Sequence, residues 1–167
     1  MVAMGAATAP LGCGSQSSAE APAVVFDPCA PLALIPDAAA TPAEIQALAA
    51  GLALWNSSAG TALALGMPAS GAPSLPVTFQ AAAAPFHGLY DAPDGQVFLN
   101  RDLTGNDLSI AAAHEIGHAF GLVHVSPDAR ASLMNPDNLS VPPTAADVAT
   151  LNAAWGRCGP LDATGAE

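Results

Sequence analysis

The chain has 167 residues and carries 14 acidic residues against three basic ones, all arginine, so its formal net charge is −11 at pH 7. Such a charge argues against nucleic acid and anionic lipid surfaces as electrostatic partners, because both are themselves negatively charged. The length suits a single domain with one core, since a second domain of ordinary size does not fit beside the terminal segments.

The first 28 residues read as a leader and linker that precede the folded domain. Residues 1–12 are apolar and small, Cys13 follows them, and residues 14–18 form a polar tether. This arrangement resembles the end of a bacterial lipoprotein signal, in which the cysteine is lipidated. An ordinary cysteine in a disordered leader is the alternative. The resemblance implies an extracytoplasmic protein that is secreted or held at the membrane by a lipid on Cys13.

The next segments predict a strand followed by an amphipathic helix. Residues 32–35 are a short apolar run that suits a buried strand, and residues 24–26 are a candidate for an additional edge piece. A helix should begin at Thr41, where Pro42 takes the first helical position and Glu44 completes a capping box. The apolar stripe of this helix consists of Ile45, Leu48, Leu52 and Trp55. We interpret this stripe as the face that packs on a sheet.

Four further strands are predicted before the second helix. Residues 61–65 and 77–80 have strand-like apolar patterns, and residues 86–90 are joined to residues 96–100 by a turn that contains Asp94-Gly95. Two strands joined by a short Asp-Gly loop form an antiparallel pair. Helices and strands in this order predict an α+β domain.

The chemistry of the chain is concentrated in residues 114–124, which read H-E-x-x-H-x-x-G-x-x-H. Gly105-Asn106-Asp107 is the proposed cap of a helix that runs from Leu108 through Phe120. In this helix His114 and His118 lie on one face, where two imidazoles can share a metal ion. Gly121 can take a left-handed conformation that ends the helix and brings His124 to the same ion. Glu115 is placed to accept a proton from the attacking water.

A structural metal site is the alternative to a catalytic one. Structural zinc sites usually have four protein ligands, and His87 is the only histidine left to act as a fourth. Three histidines and one open position favour catalytic zinc.

A second motif, a methionine in a tight turn, follows the histidine pattern of residues 114–124. About ten residues after His124 the chain reads Ser132-Leu133-Met134-Asn135-Pro136. The whole pattern resembles that of the metzincin zinc endopeptidases, and it is similar to the matrixin-like members among them. The resemblance implies that Zn²⁺ is bound by the three histidines and that Met134 forms a hydrophobic floor beneath them. It also implies a twisted mixed sheet of about five strands with an antiparallel edge strand, an active-site helix, a Met-turn and a C-terminal helix.

The same resemblance implies where a substrate would bind. In that family an edge strand above the zinc pairs with an extended peptide, and the residues assigned to this role here are His87, Gly88, Leu89 and Tyr90. The loop of residues 138–143 corresponds to a wall of the pocket for the side chain after the cleaved bond. One departure weakens the matrixin label, because Val125 separates His124 from Ser126, whereas matrixins have serine directly after the third histidine.

The C-terminal part predicts one more helix and a covalent link. Thr144 with Asp147 three residues later predicts a helix start, and Gly156 predicts its end. The inner stripe consists of Val148, Leu151 and Trp155. A bridge between Cys29 and Cys158 would tie together the ends of the domain, which spans residues 29–158, and would contribute about 4 kcal/mol. Two buried free thiols are the alternative, and residues 159–167 read as a flexible tail.

These features together predict a monomeric, zinc-dependent endopeptidase that acts on polypeptides, with Glu115 as the general base. One rival is a non-catalytic zinc-binding envelope lipoprotein that serves as an interaction module. Glu115 argues against this rival, since a site that only binds metal needs no base. The other rival is a zinc hydrolase of non-protein amides or esters, and only the expected edge strand favours peptides over such substrates.

Overall fold

The computed structural model describes residues 23–68 and 71–159, so the lipidation candidate Cys13 lies outside the described residues. The elements in chain order are β1 (Leu32–Pro36), α1 (Pro42–Ala59), β2 (Leu63–Leu65), β3 (Ser74–Gln80), β4 (Gly88–Asp91), β5 (Gln96–Asn100), α2 (Gly105–Ala119) and α3 (Ala145–Trp155). Within these ranges no helix combines the length and the apolar character that crossing a bilayer requires.

The five strands form one mixed sheet in the order β2-β1-β3-β5-β4. The pairs β1–β2, β1–β3 and β3–β5 are parallel, and β4 runs antiparallel to β5, with Gly88 opposite Leu99 and Asp91 opposite Gln96. The α+β class and the antiparallel edge pair predicted from the sequence are therefore confirmed. Among the described strands β4 is the last on its side, and it pairs with β5 alone.

One face of the sheet carries the core. In β3 the buried residues Leu75, Val77 and Phe79 alternate with more exposed ones, as expected for a strand with helices on one face and solvent on the other. The strand is longer than residues 77–80, and β2 is shorter than residues 61–65. Both differences lie at strand ends, where pairing with β1 rather than the apolar pattern decides the boundary.

Helix α1 begins as the sequence predicts. The Thr41 amide donates to Glu44 Oε2 at 2.6 Å, and the Glu44 amide donates to Thr41 Oγ1 at 3.3 Å, which is a complete capping box. The prediction that Ile45 lies on the inner stripe is wrong, because Ile45 is 38% exposed. Glu44 takes the inward position of this turn instead, where its carboxylate also meets Arg101 Nε at 3.3 Å.

The two longer helices cross closely over the sheet. A Cβ added to Gly51 of α1 would lie 2.7 Å from the backbone oxygen of Ser109 in α2, so only glycine permits this approach. Trp55 is fully buried at the crossing, where its Nε1 donates to the Ala113 carbonyl at 2.8 Å and its ring meets Phe120 edge to face. The interpretation of Trp55 as a core residue is confirmed.

Helix α2 starts earlier than the proposed cap. Its N-cap is Thr104, whose side chain makes no capping hydrogen bond, and its first residue is Gly105, which has a left-handed φ of 54°. The segment of residues 105–107 is therefore the first helical turn rather than the cap. This error has a plain cause, since glycine, asparagine and aspartate are frequent at both caps and turns.

Helix α3 begins with the predicted capping box of Thr144 and Asp147 and ends at Gly156. Leu151 is fully buried, but the prediction that Trp155 belongs to the inner stripe is wrong, because Trp155 is 37% exposed. Its indole lies at the margin of the helix, where Nε1 donates to the Phe120 carbonyl at 2.9 Å. The polar end of the ring thus reaches a backbone acceptor while part of the ring stays in contact with water.

The two ends of the described chain are bonded to the rest of the domain. Residues 24–26 do not form an edge strand, because their hydrogen bonds go to two separate parts of the domain. Val24 N donates to the carbonyl of Ala92, in the turn after β4, and Phe26 N donates to the carbonyl of Ala119 in α2. Cys29 and Cys158 form the predicted disulfide, with their Cα atoms 4.8 Å apart. The bridge links the segment before β1 to the segment after α3.

Candidate metal centre

Three imidazoles converge at the C-terminal end of α2. His114 and His118 lie one helical turn apart, and the helix ends at Ala119 before Gly121 takes a left-handed conformation with φ of 86°. This reversal brings His124 back to the same point. The three Nε2 atoms lie 3.1 Å, 3.1 Å and 3.2 Å from one another, so the predicted histidine triad is assembled as expected.

Backbone carbonyls orient two of the three rings. His114 Nδ1 lies 2.8 Å from the Leu133 oxygen, and His118 Nδ1 lies 2.8 Å from the Leu122 oxygen. A carbonyl oxygen only accepts, so each Nδ1 must carry the proton, and the Nε2 atom of each ring presents a lone pair. Two lone pairs 3.1 Å apart repel each other unless a cation lies between them. The donor set therefore fits a bound metal ion.

The spacing fits a small divalent metal ion, and zinc is one such ion. Nitrogen ligands lie about 2.0–2.1 Å from zinc, and two tetrahedral ligands at that range are separated by about 3.3–3.4 Å. The separations between the three Nε2 atoms are only slightly shorter than this. Among the described residues the cluster supplies three ligands, so a tetrahedral ion held there would keep one position without a protein ligand.

Burial favours the neutral form of His114 and His118. Burial lowers the pKa of His114 to about 4, although its hydrogen bond to the Leu133 carbonyl acts in the opposite direction. Burial likewise lowers the pKa of His118, against a raising effect of the Leu122 carbonyl. Neutral imidazole is the form that binds a metal ion, so the site is prepared for its ligand at neutral pH.

Met134 lies in a tight turn and packs against α2. It is 1% exposed, and its carbonyl accepts a hydrogen bond from Val125 N at 2.9 Å. A Cβ added to Gly117 would lie 2.6 Å from the Met134 sulfur, so the thioether fills the space that this glycine leaves on α2. The residue expected to form a hydrophobic floor is thus packed against the helix that carries two of the ligands.

Asp147 stabilises the turn that contains Met134 by accepting hydrogen bonds from Ser132 and Leu133. Its carboxylate accepts hydrogen bonds from the Ser132 hydroxyl and from the Leu133 amide at 2.9 Å, in addition to those from Thr144 that cap α3. Arg130 Nη1 lies 3.2 Å from the same carboxylate. Since the Leu133 carbonyl orients His114, Asp147 is linked to the metal centre through one intervening residue. The sequence identified Asp147 as a capping residue only.

Glu115 lies between the triad and the edge strand β4. Burial raises its pKa to about 8, while a backbone hydrogen bond with Tyr90 acts in the opposite direction. A cation at the histidines would favour the carboxylate form of Glu115. A Cβ added to Gly88 would lie 2.8 Å from Glu115 Oε1, so the carboxyl group reaches the backbone of the strand.

Two cavities meet at this carboxyl group, and both are lined by Gly88, Glu115 and His124. The first, which we name the Asp137 cavity, has a volume of about 150 Å³ and is further lined by Phe86, His87, Ala111, Pro136, Asp137 and Asn138. The second, which we name the apolar cavity, has a volume of about 370 Å³ and is further lined by Val24, Val25, Leu89, Tyr90, Leu122 and Val123. A ligand that crosses the triad along β4 would occupy both.

His87 is the one predicted site residue that lies apart from its assigned place. It precedes β4 rather than belonging to it, and only its carbonyl continues the pairing, by accepting from Asn100 N at 2.9 Å. Among the described residues, the cluster able to hold a metal consists of His114, His118 and His124 and does not include His87. Gly88, Leu89 and Tyr90 do lie in the edge strand.

The geometry presents three imidazoles, an adjacent carboxyl group and a strand edge that no other described strand covers within one cleft. Such an arrangement can bind a metal ion with an open coordination position and place a proton acceptor beside it. No family model matches the sequence, and no curated protein is significantly similar to it. The assignment of a function therefore depends on the residues of the cleft.

Proposed function

We propose that this protein is a zinc-dependent endopeptidase with a metzincin-type catalytic domain. The observation that carries the proposal is the position of Glu115, which lines both cavities beside three convergent Nε2 atoms. A site that only stored or bound a metal would gain nothing from a buried carboxyl group at its open side. The free edge of β4 supports a peptide substrate, because an extended chain can add to it as a further strand.

When bound by the three histidines, zinc supplies Lewis acidity to a peptide carbonyl and increases the acidity of a water molecule. Glu115 takes the proton from the attacking water and then delivers it to the nitrogen of the leaving amine. The backbone of β4 holds the peptide extended across the two cavities. Leu133 and Leu122 keep the His114 and His118 rings in position through the Nδ1 hydrogen bonds.

The disulfide supports an extracytoplasmic location for this activity, because such bridges persist in oxidising compartments and are rare in the cytosol. We further propose that the chain acts as a monomer, since a single chain supplies the three histidines and Glu115.

The proposal is tested by cleavage of an unfolded protein with the metal-depleted and the zinc-reloaded chain. We expect no cleavage after chelation and full recovery on adding one equivalent of zinc. A parallel assay with simple esters and non-peptide amides separates the proposal from the general hydrolase. Hydrolysis of those compounds without any peptide cleavage would contradict the endopeptidase assignment, as would peptide cleavage that persists without metal.

A further inference from the structure

The Asp137 cavity combines a carboxylate with walls that are partly apolar, at one side of the metal centre. Asp137 lines it together with Phe86 and Ala111, and a neighbouring wall is formed by Pro85. The backbone of Asp137 has a left-handed φ of 59°, a conformation that aspartate and asparagine tolerate better than other non-glycine residues. The turn after Met134 thus holds a carboxylate at the rim of a cavity that adjoins Glu115.

No arginine or lysine lines either cavity. Arg101 pairs with Glu44 and Arg130 pairs with Asp147, while Arg157 lies beside α3. The chain contains no other arginine and no lysine. The carboxylate of Asp137 therefore has no arginine or lysine partner within the protein, and the net charge of −11 adds to an attractive field for cations.

The walls of this cavity suit a long cationic side chain. The methylene stem of an arginine or lysine can lie along Pro85, Phe86 and Ala111 while its charged end stays near the rim. The ring of Phe86 can also face the cation. The apolar cavity on the other side differs, since it exposes Leu89 (50%) and Val123 (75%) and favours an uncharged side chain.

The direction of β4 decides which substrate residue reaches Asp137. The Asp137 cavity lies at the start of the strand, beside Gly88, and the apolar cavity lies beside Leu89 and Tyr90 further along it. Antiparallel pairing is slightly more stable per residue than parallel pairing. A peptide paired antiparallel with β4 runs from the apolar cavity toward the Asp137 cavity. The residue after the cleaved bond then enters the Asp137 cavity.

We propose that Asp137 makes the enzyme prefer a basic residue, arginine or lysine, directly after the cleaved bond. This inference rests on the proposed endopeptidase function and adds a substrate class to it. The preference depends on the negative charge at position 137, and neither the H-E-x-x-H pattern nor the turn around Met134 requires an acidic residue there.

The test compares two peptides that differ only in the residue after the cleaved bond, which is arginine in one and citrulline in the other. Citrulline has nearly the same shape but no charge. For the zinc-loaded parent we expect kcat/KM to be about two- to fivefold higher for the arginine peptide, as for an exposed charge pair. The preference should decrease as the ionic strength rises from about 0.01 M to 1 M.

Asp137→Asn is the matched variant, because asparagine keeps the shape and tolerates the left-handed backbone. We expect it to cleave the two peptides at equal rates, so that the ratio of the two kcat/KM values falls to about one. Asp128→Asn removes the same charge from an exposed loop residue that lines neither cavity, and it should keep the preference. Equal cleavage of both peptides by the parent, or a preference that survives in Asp137→Asn, would overturn the inference.

Failure of the inference and failure of the proposed function give different results. If the parent cleaves both peptides equally and Glu115→Gln cleaves neither, the endopeptidase assignment stands and the role of Asp137 is wrong. If the zinc-loaded parent cleaves no peptide in a mixed library, the proposed function fails and the inference is overturned with it. Sequencing the library products also shows on which side of the cleaved bond the basic residue lies, and a basic residue only before that bond would contradict the inferred orientation.

Discussion

Gly88 lies so close to Glu115 that a Cβ on the glycine would be 2.8 Å from both Cγ and Oε1 of the glutamate. Successive side chains of a strand point to opposite faces of the sheet, so a side chain at position 88 would extend from one of these faces. Here the carboxyl group occupies the space in which a side chain of residue 88 would stand. Glu115, the expected proton acceptor, can therefore lie against β4, the expected substrate-binding strand, only because Gly88 has no Cβ.

Gly88→Ala should displace the Glu115 carboxyl group while leaving the metal ligands in place. A displacement of about 1 Å at a reacting group can reduce the rate about 100-fold, so we expect kcat/KM for peptides to fall by about that factor. Zinc content and the urea midpoint should stay close to those of the parent, because Gly88 lies at the sheet edge. Full activity in this variant would show that Glu115 does not act from its observed position.

His124→Ala should lose the metal, and His87→Ala should not. His124 supplies one of the three converging nitrogens, whereas His87 lines the Asp137 cavity without joining the cluster. Changes to residues that only support a ligand already reduce metal affinity about 10- to 100-fold, so we expect removal of a ligand to reduce it at least about 100-fold. Zinc competition with a chromogenic chelator measures both variants. Equal losses in the two variants would mean that His87 is a ligand.

Asp147→Asn should destabilise the fold in a pH-dependent manner. Burial raises the pKa of Asp147, but hydrogen bonds from Ser132, Thr144 and Leu133 outweigh burial, and the pKa lies below its ordinary value. A lowered pKa in the folded state means that the carboxylate contributes stability above the unfolded-state pKa of about 4. This contribution is lost as the pH falls through the lower folded-state value.

At pH 7 we expect Asp147→Asn to cost about 2–4 kcal/mol, because several buried donors lose a charged acceptor. The difference in the free energy of unfolding between parent and variant should stay constant down to about pH 5 and decrease below about pH 4. Urea unfolding at several pH values measures it, with Asp128→Asn as the exposed control. A difference that is absent at pH 7, or one that does not shrink at low pH, would contradict the described network.

Removal of the disulfide should lower stability while leaving the site intact. Cys29 and Cys158 are 129 residues apart in sequence, and closing a loop of this size contributes about 5 kcal/mol at most in the chain-entropy model. We expect the Cys29→Ser, Cys158→Ser double variant to unfold at a lower urea concentration than the parent. Reduction should shift the parent to the same midpoint and leave the double variant unchanged. If reduction does not affect the parent, the two thiols are not bridged.

The sequence predicted the parts of the site that depend on local spacing. The i, i+4 interval of His114 and His118 is fixed by helical geometry, and the left-handed glycine at position 121 is the simplest way to return His124 to them. The capping boxes of α1 and α3 are likewise local, since each joins residues three positions apart. These features need no knowledge of the rest of the chain.

The contacts that the sequence did not reveal join residues that are distant along the chain. Asp147 accepts a hydrogen bond from the Ser132 hydroxyl, which is 15 residues away in the sequence. The sequence alone does not show that the carboxylate that caps α3 also accepts a hydrogen bond from the turn that contains Met134. The contact of Gly88 with Glu115 depends on how β4 lies over α2. The errors on Ile45 and Trp155 have a similar origin, because both lie at the margins of apolar stripes where the neighbouring elements decide burial.

The most direct test of the endopeptidase assignment compares the parent with Glu115→Gln in two measurements on the same preparations: zinc bound per chain, and the rate of cleavage of an unfolded protein. Glutamine nearly keeps the shape of the side chain but cannot take the proton, so we expect one zinc per chain in both proteins and a rate about 10²- to 10⁴-fold lower in the variant. Equal rates in the two proteins, or one zinc in each with no cleavage by the parent across a broad panel of polypeptides, would contradict the account.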